Sequence, residues 1–538
     1  MRHVLFLALL LPVAAAASEL DMLPLGDPEL ALEIGSAPAG AVYDCNLGEP
    51  VELEAAVTRM AAAQVVLLGE EHTSMDQKLL QARVLEGLAA TGRSLVLAME
   101  FFERADRAAL EAWVKGEVDD RGLLEATDWY DRGSYRWEYY RPVMEVARAH
   151  GIPVVGVNVP REIPRAVNRK GLDSLSDEQR TEVGEVTTDG SSQHRYLIAR
   201  YFGDTVAMLP PGWFDNMYAA QCLWDVVMAR SVLAEIADDT TVVLVVGSGH
   251  VAYDLGISGR LDQERAAAGL PPLDIVTLCP TTAPPPSPEG EPTGHPMGGG
   301  HPGLNGVSPP ARFSRSLADL VAVFPDDGGI EAFPTLGLRL AGDDGEPPSV
   351  GMIWPETLAE DVGFASGDVI LDVNGVEPMD LSDLRFLLAS LEWGERLGVS
   401  VRRGDEVIEI AALLFPEIDT SEEGTAPGYG IDDLRQFDPT ESTPVADSIV
   451  PDDAPEWTLV SRDGVRVRVE VRRDGVLDEV HELDERGRVD RSLYRQPLDG
   501  GVVELRYERD EAGDVVSTTR LNRVGKVVES RGQSALGL

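Results

Sequence analysis

Positive charge is scarce in this 538-residue chain: 46 Lys and Arg face 92 Asp and Glu, a formal net charge of −46. General nucleic-acid binding needs a basic footprint, and an anionic membrane surface would repel the chain, so neither partner is expected. Cations and cationic partners are attracted instead, and a large charge of one sign keeps a secreted protein soluble. Only four lysines are present (Lys78, Lys115, Lys170, Lys526), an arginine preference that reads as base composition rather than chemistry. Cysteine is rarer still. Cys45, Cys222 and Cys279 are odd in number, allow at most one internal bridge and show no CxxC spacing, which argues against a thiolate metal site. Beyond the first residues no apolar run approaches the roughly 18 residues of a membrane span, so no transmembrane segment is expected.

What is present suits a multidomain globular protein. At roughly 150 residues per domain the length corresponds to three or four domains. Apolar residues at 43% and charged residues at 26% are ordinary for packed cores. Residues 1–19 read as an export signal: Arg2 and His3, then the apolar Val4–Leu11, then small residues from Val13 to Ser18. The expected destination is the periplasm or the extracellular side of the envelope. No cysteine stands in the cleavage region, so lipid anchoring is not expected there.

From 50 to 280, continuous apolar runs alternate with helix-length amphipathic stretches. The runs are Gln64–Leu68, Ser94–Met99, Pro153–Val157, Thr241–Val246 and Asp274–Leu278. Continuous rather than alternating apolar patterning suits strands covered on both faces, so a three-layer α/β domain with a parallel sheet is expected.

The polar residues that follow these runs carry the chemistry. One run passes into Gly69-Glu70-Glu71-His72, the next ends at Met99-Glu100, the third at Asn158-Val-Pro-Arg161, the fourth at Gly247-Ser-Gly-His250. The carboxyl ends of parallel strands lie on one edge, where ligands bind. His72, Glu70 or Glu71, Glu100, Asn158, Arg161 and His250 are therefore expected on a single rim. Taken singly, each residue has a structural alternative: a packed histidine, or a glutamate capping a helix. The set suits a divalent metal on His72 and His250, or an acid–base pair that activates water. With a tyrosine it equally suits haem iron. The aromatic and arginine-dense segment 128–142, holding Tyr130 and Tyr140, could wall a macrocycle, or else form an ordinary helix contact. No Gly-x-Ser-x-Gly elbow follows a strand, which disfavours a nucleophilic serine.

Gly69-Glu70-x-His72, Met99-Glu100-Phe-Phe102, Tyr140-Arg-Pro142, Asn158-x-Pro160-Arg161, Gln221-Cys-Leu-Trp224-Asp225 and Gly247-Ser-Gly249-His250 occur in that order. This set resembles the ChaN-like haem-binding family, iron-regulated proteins of bacterial envelopes. The resemblance implies cofacial haem at a homodimer interface, with His72, Glu100, Tyr130, Tyr140, Asn158, Arg161, Gln221, Asp225 and His250 as cofactor-site candidates. Family members are typically lipid-anchored, and here the chain departs from them. The paired Gly-x-x-His turns are also similar to the erythromycin esterase and TraB group, which implies a hydrolase alternative using Glu70, His72, Glu100 and His250.

The remainder divides by composition. Residues 281–312 form a Pro/Gly linker holding His295, Met297 and His301, which we read as without metal function. Segment 333–415 resembles a bacterial PDZ domain through Pro334-Thr-Leu-Gly337-Leu-Arg-Leu340 and Gly367-Asp-Val-Ile-Leu-Asp-Val-Asn374-Gly375. That implies capture of protein C-terminal peptides beside Leu336, Gly337 and Leu338. Residues 416–455 form an acidic linker, and 456–531 alternate with period two around Asp-Gly and Gly turns, an antiparallel hairpin repeat. An envelope scaffold with these modules is the third functional class.

Overall fold

The computed structural model describes residues 19–285, 308–415 and 456–532, apart from short stretches within them. The expected leader up to Ser18, most of the 281–312 linker with its two histidines, and the acidic 416–455 segment lie outside the described residues. The chain forms two units, Met1–Gly329 and Ile330–Leu538.

The first unit is built on ten strands: β1 (Ile34–Ala37), β2 (Val42–Asp44), β3 (Glu49–Val51), β4 (Val65–Glu70), β5 (Ser94–Glu103), β6 (Val154–Asn158), β7 (Thr240–Gly247), β8 (Ile275–Thr282), β9 (Ala311–Ser314) and β10 (Leu320–Phe324). Eight of them form one sheet in the order β3-β2-β10-β8-β4-β7-β5-β6, while β1 pairs with β9. From β10 to β6 all neighbours are parallel, and β2 and β3 add antiparallel strands at one edge. Every residue of β4 and of β7 is buried, as their unbroken apolar sequences require of strands covered on both faces. Helices Met75–Ala90 and Trp137–His150 pack on each other, and the long helix Trp213–Glu235 packs on Glu162–Lys170 and on β6.

The sheet recruits chain from outside the expected 50–280 span. β10 lies parallel to β8, with Leu320 opposite Leu278, and antiparallel to β2. Residues Leu20, Leu23 and Leu25 are buried, and the Tyr253 hydroxyl donates to the Leu20 carbonyl at 2.5 Å while accepting from the Leu23 amide at 3.0 Å. A five-residue apolar run after a Pro/Gly stretch has no periodicity to announce it. Its partner is chosen by the open edge of β8.

The chain runs β4, β5, β6 outward, then returns to insert β7 between β4 and β5 and to place β8 beyond β4. That reversal puts a topological switch point at the carboxyl ends of β4 and β7. Beside it, β5 departs from regular register with β6 between Met99 and Glu103. Gly156 permits this, because a Cβ there would lie 2.1 Å from the Glu103 carbonyl oxygen.

The second unit is entirely antiparallel in its sheets. One sheet has β11 (Leu338–Ala341), β12 (Ser349–Ile353), β13 (Val369–Val373), β14 (Arg396–Arg403) and β15 (Glu406–Leu413) in that order, with helices Leu358–Asp361 and Leu381–Ala389. The other is a seven-stranded meander, β16 to β22, between Glu456 and Gly532. They are not independent beads on a linker. Leu413, Leu477, Val480, Leu493 and Val503 form one apolar cluster, and Arg396 pairs with buried Glu504 at 2.5 Å.

Candidate functional site

Register brings the expected residues together. Glu70 at the end of β4 lies opposite Gly247 at the end of β7, and Met99, which precedes Glu100, lies opposite Val245. The Gly247 amide donates to Glu100 Oε2 at 2.8 Å. A Cβ on Gly247 would stand 2.8 Å from His72 Cε1, so only glycine lets the imidazole approach this strand end. On its other side Glu100 Oε1 is 3.7 Å from His250 Nε2. Two histidines 178 positions apart in the chain thus flank one carboxylate.

Each imidazole is backed by its own acid. His72 Nδ1 is 3.1 Å from Glu70 Oε1. Glu70 is wholly buried and also receives the Tyr140 hydroxyl at 3.0 Å, the Gln81 amide at 3.0 Å and the Lys78 ammonium at 2.7 Å. Burial alone would raise its carboxyl, but the His72 hydrogen bond and the Lys78 charge outweigh that and hold it at about 2. Glu70 is therefore an obligate acceptor, so His72 donates to it from Nδ1, and Nε2 is the ring nitrogen left for a ligand. That nitrogen has no hydrogen-bond partner among the described residues. Burial, then the charges of Glu70 and Glu100, push the Tyr140 phenol well above its usual range, so it stays a donor.

His250 sits deeper. Its Nδ1–H donates to Asp225 at 2.6 Å, and the Gln221 amide nitrogen lies 2.9 Å from the same edge of the ring. Burial would lower this imidazole, yet the Asp225 hydrogen bond and the charges of Asp225 and Glu100 raise it above its ordinary value. Behind Asp225 lies a third histidine: His194 Nε2 is 3.5 Å from Asp225 Oδ2, and its Nδ1 is 3.3 Å from the Tyr218 hydroxyl. Burial lowers His194.

The aromatic segment divides. Trp129, Trp137, Tyr139 and Tyr140 are core, with Trp129 and Trp137 centroids 5.6 Å apart. Tyr135 tilts over the His72 ring at 4.8 Å, and Phe101 meets the same ring edge-on at 5.0 Å. Tyr130 instead accepts from the Trp137 amide at 3.3 Å. The arginines of this segment are taken by acids: Arg132 by Asp106, Arg136 by Glu138, Arg141 by Asp120 and Glu145. Asn158 donates to the Glu100 carbonyl at 3.2 Å and holds the bend of β5. Arg161 begins the next helix and lies against Gly133. Opposite, Tyr201 and Phe202 are 42% and 40% exposed, with the Tyr201 ring beside Gly249.

Residues 56–261 match the family described as "Haem-binding uptake, Tiki superfamily, ChaN". The chain is also similar to RETICULATA-RELATED 5, a chloroplastic protein of Arabidopsis thaliana, at 23% identity over 255 residues, 43% of this chain and 34% of the relative. It thus spans about a third of that relative's length. Among solved structures, ChaN of Campylobacter jejuni with cofacial haem aligns at 14% identity and a TM-score of 0.39, over 52% of this chain and 95% of the other. An erythromycin esterase mutant in its open conformation aligns at 12% identity and 0.30, over 54% and 98%.

Among the described residues no group of three or more His, Cys, Asp or Glu side chains is arranged to hold a bare metal ion. The expected pairing of His72 and His250 on one divalent metal therefore has no third ligand arranged with it among the described residues, and Glu70 and Asp225 are committed behind the two rings. No helix of the described residues is long and apolar enough to cross a membrane. The residues missed from sequence are Lys78, Gln81, Tyr135 and His194. Gln77, Lys78 and Gln81 lie on the buried stripe of their helix with Val84, Leu85 and Leu88, and polar residues on an apolar stripe were the available signal.

Proposed function

We propose that the first unit binds haem at the strand-end rim, where His72 would be the residue that holds the iron. The observation that carries this is the His72 imidazole itself, held at Nδ1 by Glu70, without a hydrogen-bond partner at Nε2 among the described residues, and set between Phe101 and Tyr135. A carboxylate behind a ligating histidine fixes its tautomer and raises its basicity, and aromatic walls suit a macrocycle, so the donor set fits an iron porphyrin. Bound iron would supply a Lewis-acidic, redox-active centre. The chain's own share is to present Nε2, to bury Glu70 and Lys78 beneath it, and to offer Tyr201 and Phe202 as a second aromatic surface. The family description of residues 56–261 supports the same ligand. Hemin titrated into the full chain is expected to give a saturable Soret band that is lost or displaced in His72→Ala. No absorbance change at stoichiometric hemin overturns the reading. Sedimentation with and without hemin tests the homodimer that belongs to it.

A second reading has its own observation. Glu100 lies between two imidazoles, each backed by a carboxylate, and the raised His250 is poised as an acid. Here Glu100 or His72 takes a proton from water and His250 returns one to the leaving oxygen. Turnover of a panel of esters, abolished by Glu100→Gln with the fold intact, would establish it.

For the second unit we propose a PDZ-like peptide site within 333–415. Among the described residues β11 is an edge strand of its sheet, paired with β12, and Leu336 and Gly337 lead into it at Leu338, so an extended peptide end could add alongside. Binding of C-terminal peptides that disappears when the terminus is amidated supports this; equal binding of both forms removes it. Export, to the periplasm or beyond, rests on the pattern of residues 1–19.

A further inference from the structure

The arginines of the aromatic segment are paired with acids, yet two others near the rim, Arg161 and Arg165, form no ion pair among the described residues. Helix Glu162–Lys170 starts four residues after Asn158, whose side chain touches the rim. Along it Arg161, Arg165 and Arg169 recur every four residues, about 6 Å apart on one face, and Lys170 closes the row. Among the described residues neither Arg161 nor Arg165 is within ion-pair distance of an acid, in a chain where acids outnumber bases two to one. Arg165, Arg169 and Lys170 line a cleft of about 310 Å³ with Ala166, Ser174 and Glu162, the last its single acid. Partial burial, then the neighbouring arginine, lowers both Arg161 and Arg165. Glu162 offsets part of the charge at Arg165, and the excess of like charge that remains along the row is relieved by an anion.

We infer that this row is an anion-binding subsite for a ligand carrying two carboxylate or phosphate groups, running from the rim at Arg161 into the cleft at Arg165 and Lys170. Guanidinium groups bind such groups through paired hydrogen bonds. The chemistry has two possible sources. One is the pair of propionates on haem held at the rim, which rests on the haem reading above; the other is a separate phosphorylated small molecule, which does not.

The test uses the full chain, Arg165→Gln and Arg161→Gln/Arg165→Gln, with thermal melts to confirm that the surface substitutions leave the fold unchanged. The probes are hemin, its dimethyl ester and inorganic pyrophosphate. If the propionates are the ligand, the double variant binds hemin at least about tenfold more weakly, the loss of one charge-assisted contact or more, and binds the ester as the wild type does. If hemin binding is untouched but pyrophosphate binds the wild type and not the variant, the subsite stands and serves a separate phosphorylated ligand. If the wild type takes up no hemin, the haem reading falls, and pyrophosphate alone decides the subsite. Unchanged affinity of the double variant for both hemin and pyrophosphate, or no binding of either by the wild type, overturns the inference.

Discussion

Replacing Glu70 by Gln tests whether the polar cluster under His72 is built around a buried anion. The carboxyl is held at about 2 against an ordinary 4.5, by His72 and Lys78 acting against burial. A displacement of that size corresponds to about 3 kcal/mol of stability at neutral pH. Because the folded-state value is depressed, the contribution is complete above pH 4.5 and is lost as the pH falls through about 2. Urea unfolding followed by tryptophan emission should therefore find Glu70→Gln about 3 kcal/mol less stable than the wild type at pH 7, with less than half of that gap left at pH 3. The variant also strands the Lys78 ammonium, which has no other acid within 3 Å, so the neutral-pH loss is a lower bound. Equal stability at pH 7, or a gap that stays constant down to pH 3, would refute the reasoning.

Asp225→Asn removes the acid that, with Glu100, holds the His250 imidazole above its ordinary value. A raised group stabilises fully below its unfolded value of 6.5 and ceases to as the pH rises through its folded one. The variant's deficit should thus be larger at pH 5.5 than at pH 9, and a deficit that grows with pH contradicts the assignment. The three cysteines are buried and unpaired, and burial pushes the Cys45 thiol up to about 12. A thiol reagent should find none of them in the native protein and all three after unfolding without reductant; one reactive thiol in the unfolded chain would mean that two are bridged.

The parallel strands were legible because full burial on both faces leaves an unbroken apolar signature, and each began or ended within a few residues of its run. Their common carboxyl edge then followed from the parallel arrangement alone, so His72, Glu100 and His250 could be placed on one rim before any contact was known. What could not be read was depth. Sequence treats the two histidines as equivalent, whereas Glu70 presents His72 to the outside and Asp225 draws His250 inward. Tyr130 and Tyr140 looked alike for a similar reason, yet Tyr140 is buried on Glu70 and Tyr130 accepts from the Trp137 amide, while Tyr135 lies over the His72 ring. β2, β3 and β10 were missed since their pairing is decided by which sheet edge is left open. The shared core of the two C-terminal sheets was equally hidden, as it is made from residues on either side of the 416–455 segment.

The parallel alignment of β10 with β8 has a practical consequence. Residues 285 and 308 both belong to the first unit, and β10, which follows residue 308, fills a place inside the same sheet as β8. A protease cut between those points should leave two fragments that migrate together until denatured, and an expression fragment stopped at 280 would expose the flank of β8 as a sticky edge. Recombinant versions of this unit should run to residue 329.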